Sequence, residues 1–370
     1  MINGIINVYK EKGFTSHDVV AKLRGILHQK KIGHTGTLDP DAVGVLPVCL
    51  GNGTKLCDLL TDTDKIYRAS MILGMSTDTQ DTSGQLLAEC EVSFGENVKE
   101  PEAGDVEKNV FNGNAALLAD GFIRRTIGSF VGGYDQIPPM YSALKVNGRK
   151  LYELAREGRE VDRPARRVTI HSIQIESIEP VTAADVFCLT EENTKNSDLA
   201  LPGIPFKAMP SSFPKIRVTM TVHCSKGTYI RTLCHDIGSR LGVGGCMSAL
   251  TRIKAGAFEV GHAMTLKAIE AAVAEGTFEK FVTPVDVVFE DLPKMTVDVP
   301  GDRLLHNGNP LPEEHVYVFD AVALGTAGAC QNAAVKDGTK VRIYSLDGNF
   351  TAIYSYCRKQ REFKVVKMFL

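Results

Sequence analysis

The segment RRVTIHSIQIESIEPV, Arg166 to Val181, alternates apolar and polar residues with the two-residue period of a half-buried strand. The tail repeats that period in KVRIYSL, FTAIYSY and FKVVKMF, predicting a small β domain from about residue 300. Ile5–Tyr9, 66–73 and 86–92 also read as strands, with a turn-rich loop at Ser76–Gly84. KIRVTMTVHC predicts a strand ending at Cys224, then a Gly227 turn and a helix from about Thr228 to Leu241. MYSALKV reads as a strand closed by an Asn147-Gly148 turn.

Other stretches carry helical spacing. Val19, Val20, Leu23, Ile26 and Leu27 recur on one helix face, with Ser16 as its N-cap. Ile123, Ile127, Phe130 and Val131 suit a second helix, and Leu151, Leu154 and Ala155 share a face over Arg149–Arg159. Polar segments at 93–119 and 190–214 read as insertions, and 283–299 has the composition of a linker. Two domains follow, α+β over 1–282 and mostly β over 300–370. One stretch fits neither period: GHTGTLDPDAVGVLPVCLGNGTKL, Gly33 to Leu56. Its first half is rich in glycine. Its second, Val43 to Leu50, is apolar enough to be a buried anchor.

Composition narrows the classes. The chain has 370 residues and 44% hydrophobic content, enough for a sizeable core. No apolar run is long enough to span a bilayer and MINGIINVYKEKG is not a signal peptide, so no membrane partner and a cytoplasmic location are expected. Nine cysteines are scattered singly without a C-x-x-C pair and no H-E-x-x-H occurs, which predicts buried thiols and no metal site. The net charge is −2, and 91–120 concentrates seven carboxylates against two lysines. The remainder is mildly positive, compatible with local basic patches rather than promiscuous nucleic-acid binding.

Three pieces offer chemistry. Asp39 precedes Pro40, which holds its backbone extended. By itself an Asp-Pro most often initiates a turn. A carboxylate is already ionised near neutral pH, so it can also serve as a nucleophile without a general base. Gly33, Gly36, Gly44, Gly51 and Gly53 admit a ligand or another backbone closely, but no phosphate-loop spacing accompanies them. Tyr229 and Arg231 lie at a strand–helix junction in CSKGTYIRTLCHDIG. Arg231 is either a solvated side chain or the partner of a buried carboxylate; desolvation would raise the pKa of Asp39 and a guanidinium would lower it again. Tyr67, in DKIYRASMILG, is a core tyrosine or a ring that stacks on a base. His34 is a turn residue or an RNA contact.

Side by side, these pieces resemble the TruB family of bacterial tRNA pseudouridine(55) synthases. The match runs through GHTGTLDPDAVGVLP, DKIYR with GMSTDTQDTSG, IPPMYSALKVNGRKLYELAREG and CSKGTYIRTLCHDIGSRLG, from about residue 2 to 270. LLHNGNPLP and VRIYSLDGNFTAIYSY resemble a PUA domain. Asp41 and Val43 depart from the residues common after the D-P, and Asn7 stands where an aspartate is frequent. The resemblance implies a pseudouridine synthase fold, with a mixed, mainly antiparallel sheet, flanking helices and a PUA-like C-terminal domain. It implies an isomerase that acts on tRNA without cofactor, metal or guide RNA; a monomer is expected because RNA, not a second subunit, would cover the cleft. It carries over Asp39 as catalytic aspartate, attacking C1′ or taking a ribose proton, with Tyr67 against the flipped base and Arg231 on Asp39. Tyr229 and Leu250 would line that pocket. His34 and Asp81 would contact the T loop, and Lys145, Arg149 and Lys150, in a thumb-like segment at 140–161, would reach phosphates. Two alternatives stand beside it: a non-catalytic RNA-binding protein on the same scaffold, and the guide-RNA-dependent relative that modifies ribosomal RNA.

Overall fold

A computed structural model describes residues 1–95, 116–146, 148–182, 214–318 and 335–370. The chain opens with strand β1 (Gly4–Lys10), helix α1 (Ser16–Ile26), β2 (Ile32–His34) and β3 (Val43–Leu50). Helix α2 (Cys57–Thr61) leads to β4 (Lys65–Leu73), β5 (Met75–Thr77), β6 (Leu86–Glu89) and β7 (Val92–Phe94). Next come β8 (Ala116–Leu118), α3 (Asp120–Gly128), β9 (Gly132–Gln136), β10 (Lys145–Val146), β11 (Arg149–Lys150) and α4 (Leu151–Arg156). The long strands β12 (Arg166–Val181) and β13 (Lys215–Cys224) follow, then α5 (Ile230–Arg240), β14 (Gly245–Ala255), β15 (Phe258–Glu259), α6 (Leu266–Ala274) and β16 (Val282–Thr283). The remainder holds β17 (Lys294–Val297), α7 (Val299–His306), β18 (Leu311–Pro312), β19 (Val316–Val318), β20 (Lys340–Tyr344), β21 (Phe350–Cys357) and β22 (Glu362–Met368).

The large sheet runs β16-β1-β3-β14-β4-β13-β12-β9, with β2 on β3 and β15 on β14. Of these pairings only β3 with β14 is parallel, so the sheet is mixed and mainly antiparallel. Helices α3 and α5 bury Ile123, Ile127, Ile230, Leu233 and Ile237 against β4 and β13. Helices α1 and α6 bury Val19, Val20, Leu23, Leu266 and Ile269 against β1 and β3. The smaller sheet runs β18-β22-β21-β20-β17-β19 around its own core of Val341, Ile343, Tyr354 and Phe363. Ile353 of that sheet and Phe369 just after it pack on Ile5, Cys49, Leu56 and Leu60 of the larger domain.

Several expectations shift. The α1 cap is Thr15, whose hydroxyl accepts from the Asp18 N–H while the Asp18 carboxylate accepts from the Thr15 N–H; this reciprocal box outcompetes a cap at Ser16. MYSALKV is not one strand. Only Lys145–Val146 pairs, with Arg149–Lys150, and the helix after it spans Leu151–Arg156 instead of Arg149–Arg159. Asn147 lies outside the described residues. The segment 283–299 is not all linker, since β17 pairs with β19 and β20 inside the smaller sheet. Most of both insertions lies outside the described residues, but the ends of the first pair in parallel as β7 and β8. The seven described cysteines are unpaired, and Cys188 and Cys330 lie outside that set. Among the described residues no helix is long and apolar enough to cross a membrane.

Candidate active site

Asp39 lies on the loop between β2 and β3, and that loop is tied down from several directions. Ser16, buried at the start of α1, accepts a hydrogen bond from the Leu38 N–H at 2.9 Å. Lys10, buried at the end of β1, donates to the carbonyls of Pro40 at 3.0 Å and Ala42 at 2.5 Å. Burial lowers its pKa to about 8 against the pull of Asp41 and Asp39. Thr35 donates its N–H to Pro47 O at 3.1 Å. Val43–Leu50 is buried over nearly its whole length, as its apolar run predicts.

Arg231, in the first turn of α5, forms a two-pronged pair with Asp39: Nε to Oδ2 at 2.9 Å and Nη2 to Oδ1 at 3.2 Å. It also donates to Thr79 O at 3.1 Å and Tyr141 O at 2.8 Å, and faces Asp81 Oδ2 at 3.7 Å. One buried guanidinium thus joins the catalytic-loop candidate, the turn-rich loop after β5 and the base of the thumb-like segment. The fork shape of arginine suits this, because each donor has its own direction. The Asp39 carboxylate is walled in by protein yet keeps 39% of its side-chain surface open, whereas Arg231 keeps 7%. Burial raises the Asp39 pKa above the ordinary carboxylate value; Arg231 offsets this in part, and Asp81 adds to the rise. The guanidinium moderates the shift without cancelling it.

Tyr67 and Leu250 belong to the same apolar cluster as Leu38 and Ala42. Tyr67 is buried on β4, opposite Val222 on one side and Arg252 on the other. Burial raises its phenol pKa and the neighbouring Arg252 pulls it back. Tyr229 precedes α5, its N–H and C=O both held by the Gln136 amide at 2.8 and 3.0 Å.

Four residues in this arrangement carry no site role that the sequence reveals: Lys10, Ser16, Gln136 and Arg252. Arg252 is fully buried, donating from Nε to Val45 O at 2.6 Å. Gly44 makes room for its backbone. With φ at +106°, a Cβ there would stand 2.3 Å from Arg252 O. The only available signal was a cation closing an apolar run, as Lys10 does after INVY. Gly44, Gly51 and Gly53 all abut the protein's own backbone or Asn3, so for these three the close approach is internal.

The outlying candidates are arranged differently. Asp81 is turned inward: its Oδ1 accepts from Thr79 Oγ1 at 2.7 Å and from the Ser83 N–H at 3.0 Å. His34 is half-buried with its ring edge-on to His17 at 5.3 Å, and burial and His17 lower its pKa. Arg149 pairs with Glu157, Lys150 lies over the Tyr152 ring at 5.3 Å, and Lys145 is exposed. None of these three lies in the Asp39 cluster.

Solved structures share this architecture. The Cbf5 chain of a Cbf5-Nop10-Gar1 complex aligns with a TM-score of 0.57 at 24% identity, covering 99% of this chain and 85% of that one. That of an archaeal box H/ACA sRNP Nop10-Cbf5 complex aligns with a TM-score of 0.58 at 22% identity, covering 100% and 86%. The fold is therefore the pseudouridine synthase fold, with a PUA-like β domain at its end. Two family models narrow this. That of the TruB family pseudouridylate synthase N-terminal domain matches 24–100 and 89–194, and that of the tRNA pseudouridylate synthase B C-terminal domain matches 231–290. The tRNA pseudouridine synthase B of Lachnoclostridium phytofermentans is 43% identical over 100% of both chains. That of Clostridium perfringens (strain SM101 / Type A) is 37% identical over 100% of this chain and 99% of its own. The chain belongs to the TruB family of pseudouridine synthases.

Proposed function

We propose that the protein converts the T-loop uridine at position 55 of tRNA to pseudouridine, in the cytoplasm, as a monomer and without guide RNA. The observation that carries this is the two-pronged Asp39–Arg231 pair, open on the carboxylate side, with Tyr67 in the same apolar cluster. The reaction breaks the N1–C1′ bond, forms a C5–C1′ bond, and loses the C5 proton while N1 gains one. A base inside a folded loop must leave its stack to reach a carboxylate recessed in the protein. Asp39 acts in its ionised form, either at C1′ or on a ribose proton, and Arg231 is the group that favours that form. Tyr67 and Leu250 receive the extruded base. The Tyr67 phenol takes part in removing the C5 proton, and Arg252 beside it favours the phenolate that such a role needs. His34 contacts the T loop, and Tyr229 closes the pocket wall. Asp81 contributes by steadying Arg231 rather than by touching RNA. Lys145, Arg149 and Lys150 meet phosphates, Arg149 by exchanging Glu157 for one.

Tritium release from tRNA labelled at uridine C5, with no guide RNA added, tests the reading. The intact protein releases tritium and Asp39→Asn does not, although it still binds tRNA. Full release by Asp39→Asn, or release only when a guide RNA is supplied, would overturn it.

A further inference from the structure

On the opposite, solvent-facing side of the large sheet, three consecutive strands bring Asp64, His171 and His223 together. Their ligand atoms all lie within 4.8 Å of one another. Asp64 Oδ2 stands 3.2 Å from His171 Nε2 and 3.9 Å from His223 Nε2, and the two imidazole rings are 4.6 Å apart. We propose that these three side chains form a binding site for a divalent transition-metal ion of the zinc class.

The backbone is arranged for this convergence. In β13, Val222 and Cys224 point into the core while His223 points to the open face. Asp64 precedes β4 beside it, and its carbonyl accepts the Gly256 N–H at 3.0 Å, which holds the backbone there. In β12 the register against β13 slips between Ile170 and Ser172, because Ile170 pairs with Cys224 and Ser172 with His223. His171 is the extra residue of that bulge. Counted from the buried Ile170, alternation turns His171 to the open face, and the bulge leaves it there with Ser172, both against His223.

The donor chemistry selects the ion. Two imidazoles and one carboxylate match zinc, cobalt or nickel better than calcium or magnesium, which prefer oxygen. A tetrahedral ion with bonds of about 2.0–2.1 Å holds its ligand atoms about 3.3 Å apart. The 3.2 Å and 3.9 Å separations already approach that spacing. All three side chains are partly or well exposed, so small rotations can bring them onto one ion, leaving a fourth position to water. Such an ion would cross-link β4, β13 and β12 on the face away from Asp39. The proposal is independent of the catalytic reading and adds no step to it.

The test uses the full-length protein, stripped with chelator and titrated with Co²⁺ as a spectroscopic probe, then with Zn²⁺ by calorimetry. The expected result is one equivalent of Co²⁺ giving visible d–d absorption without a thiolate charge-transfer band, displaced by Zn²⁺. His171→Asn, His223→Asn and Asp64→Asn each lose this signal, with far-UV circular dichroism and tritium release unchanged. Equal binding by the variants, a thiolate band, or no binding by the parent protein would overturn the proposal. Thermal melting gives an independent arm: Zn²⁺ raises the midpoint of the parent protein but not of His223→Asn.

Discussion

At the scale of residues, the site depends on cations placed where water is scarce. Arg231 opposes the desolvation of Asp39, and the Asp39 pKa still lies above the ordinary carboxylate value. For a carboxyl group an upward shift means that the fold favours the protonated form. The penalty is absent well below the ordinary range and complete once pH exceeds the folded-state value. Removing the guanidinium raises that value further. Arg231→Leu is therefore expected to lose turnover while tRNA affinity survives, and any residual activity should show the acid limb of kcat/KM at higher pH. An unmoved limb, or equal loss of binding, would make Arg231 a phosphate contact instead. Arg252 acts one step further out, through Val45 and Tyr67. Replacing it with Met strands the Val45 carbonyl, a loss of about 1–3 kcal/mol. Urea unfolding should show that loss. Single-turnover assays should show slower chemistry with unchanged tRNA affinity, and Arg252→Lys should recover only part, because an ammonium lacks the guanidinium's fixed fork.

At the scale of elements, the decisive contact is the parallel pairing of β3 with β14, Val43 to Thr251 and Gly44 to Arg252. It joins the end of the Asp39 loop to the strand carrying Leu250 and Arg252. Gly44 permits it twice over, through its positive φ and through the missing Cβ. Gly44→Ala is expected to cost at least about 2 kcal/mol, since left-handed strain alone is worth about 1–3 kcal/mol. Chemical denaturation measures it, and a neutral substitution would show that β3 and β14 separate freely. Element types were legible wherever the period ran long, as in Arg166–Val181 and in the three tail strands. The thumb-like segment was not. MYSALKV has the composition of a strand, but its backbone bonds turn locally, with the Tyr152 N–H donated to Ser142 O and the Leu151 N–H to Leu144 O.

At the scale of the whole molecule, the smaller β domain is part of the support of the larger one. Ile353 and Phe369 cover Ile5, Cys49, Leu56 and Leu60, and Lys55 Nζ donates to the Leu370 carbonyl at 2.8 Å. Ending the chain after Leu292 is expected to expose this patch. The truncated protein should unfold at lower denaturant and self-associate, as light scattering would show. An unchanged midpoint would show that the smaller domain lends the larger one no stability. Arg342, donating to Leu292 O at 2.9 Å and Glu290 O at 3.1 Å, reinforces the junction.

The sequence by itself determined the α+β-then-β order, the apolar anchor Val43–Leu50 and the three motifs that name Asp39, Tyr67 and Arg231. These are local or motif-level properties, carried by period, composition and residue type. Tertiary structure alone decided which residues surround them. Asp39 and Arg231 are 192 positions apart and meet at 2.9 Å. Asp81 turns inward because Arg231, Thr79 and Ser83 are there to receive it. Lys10, Ser16, Gln136 and Arg252 gained their roles only when strands and helices distant in sequence closed around one loop. A side chain's chemistry is written in its own residue, but its desolvation and its partners are set by the rest of the fold.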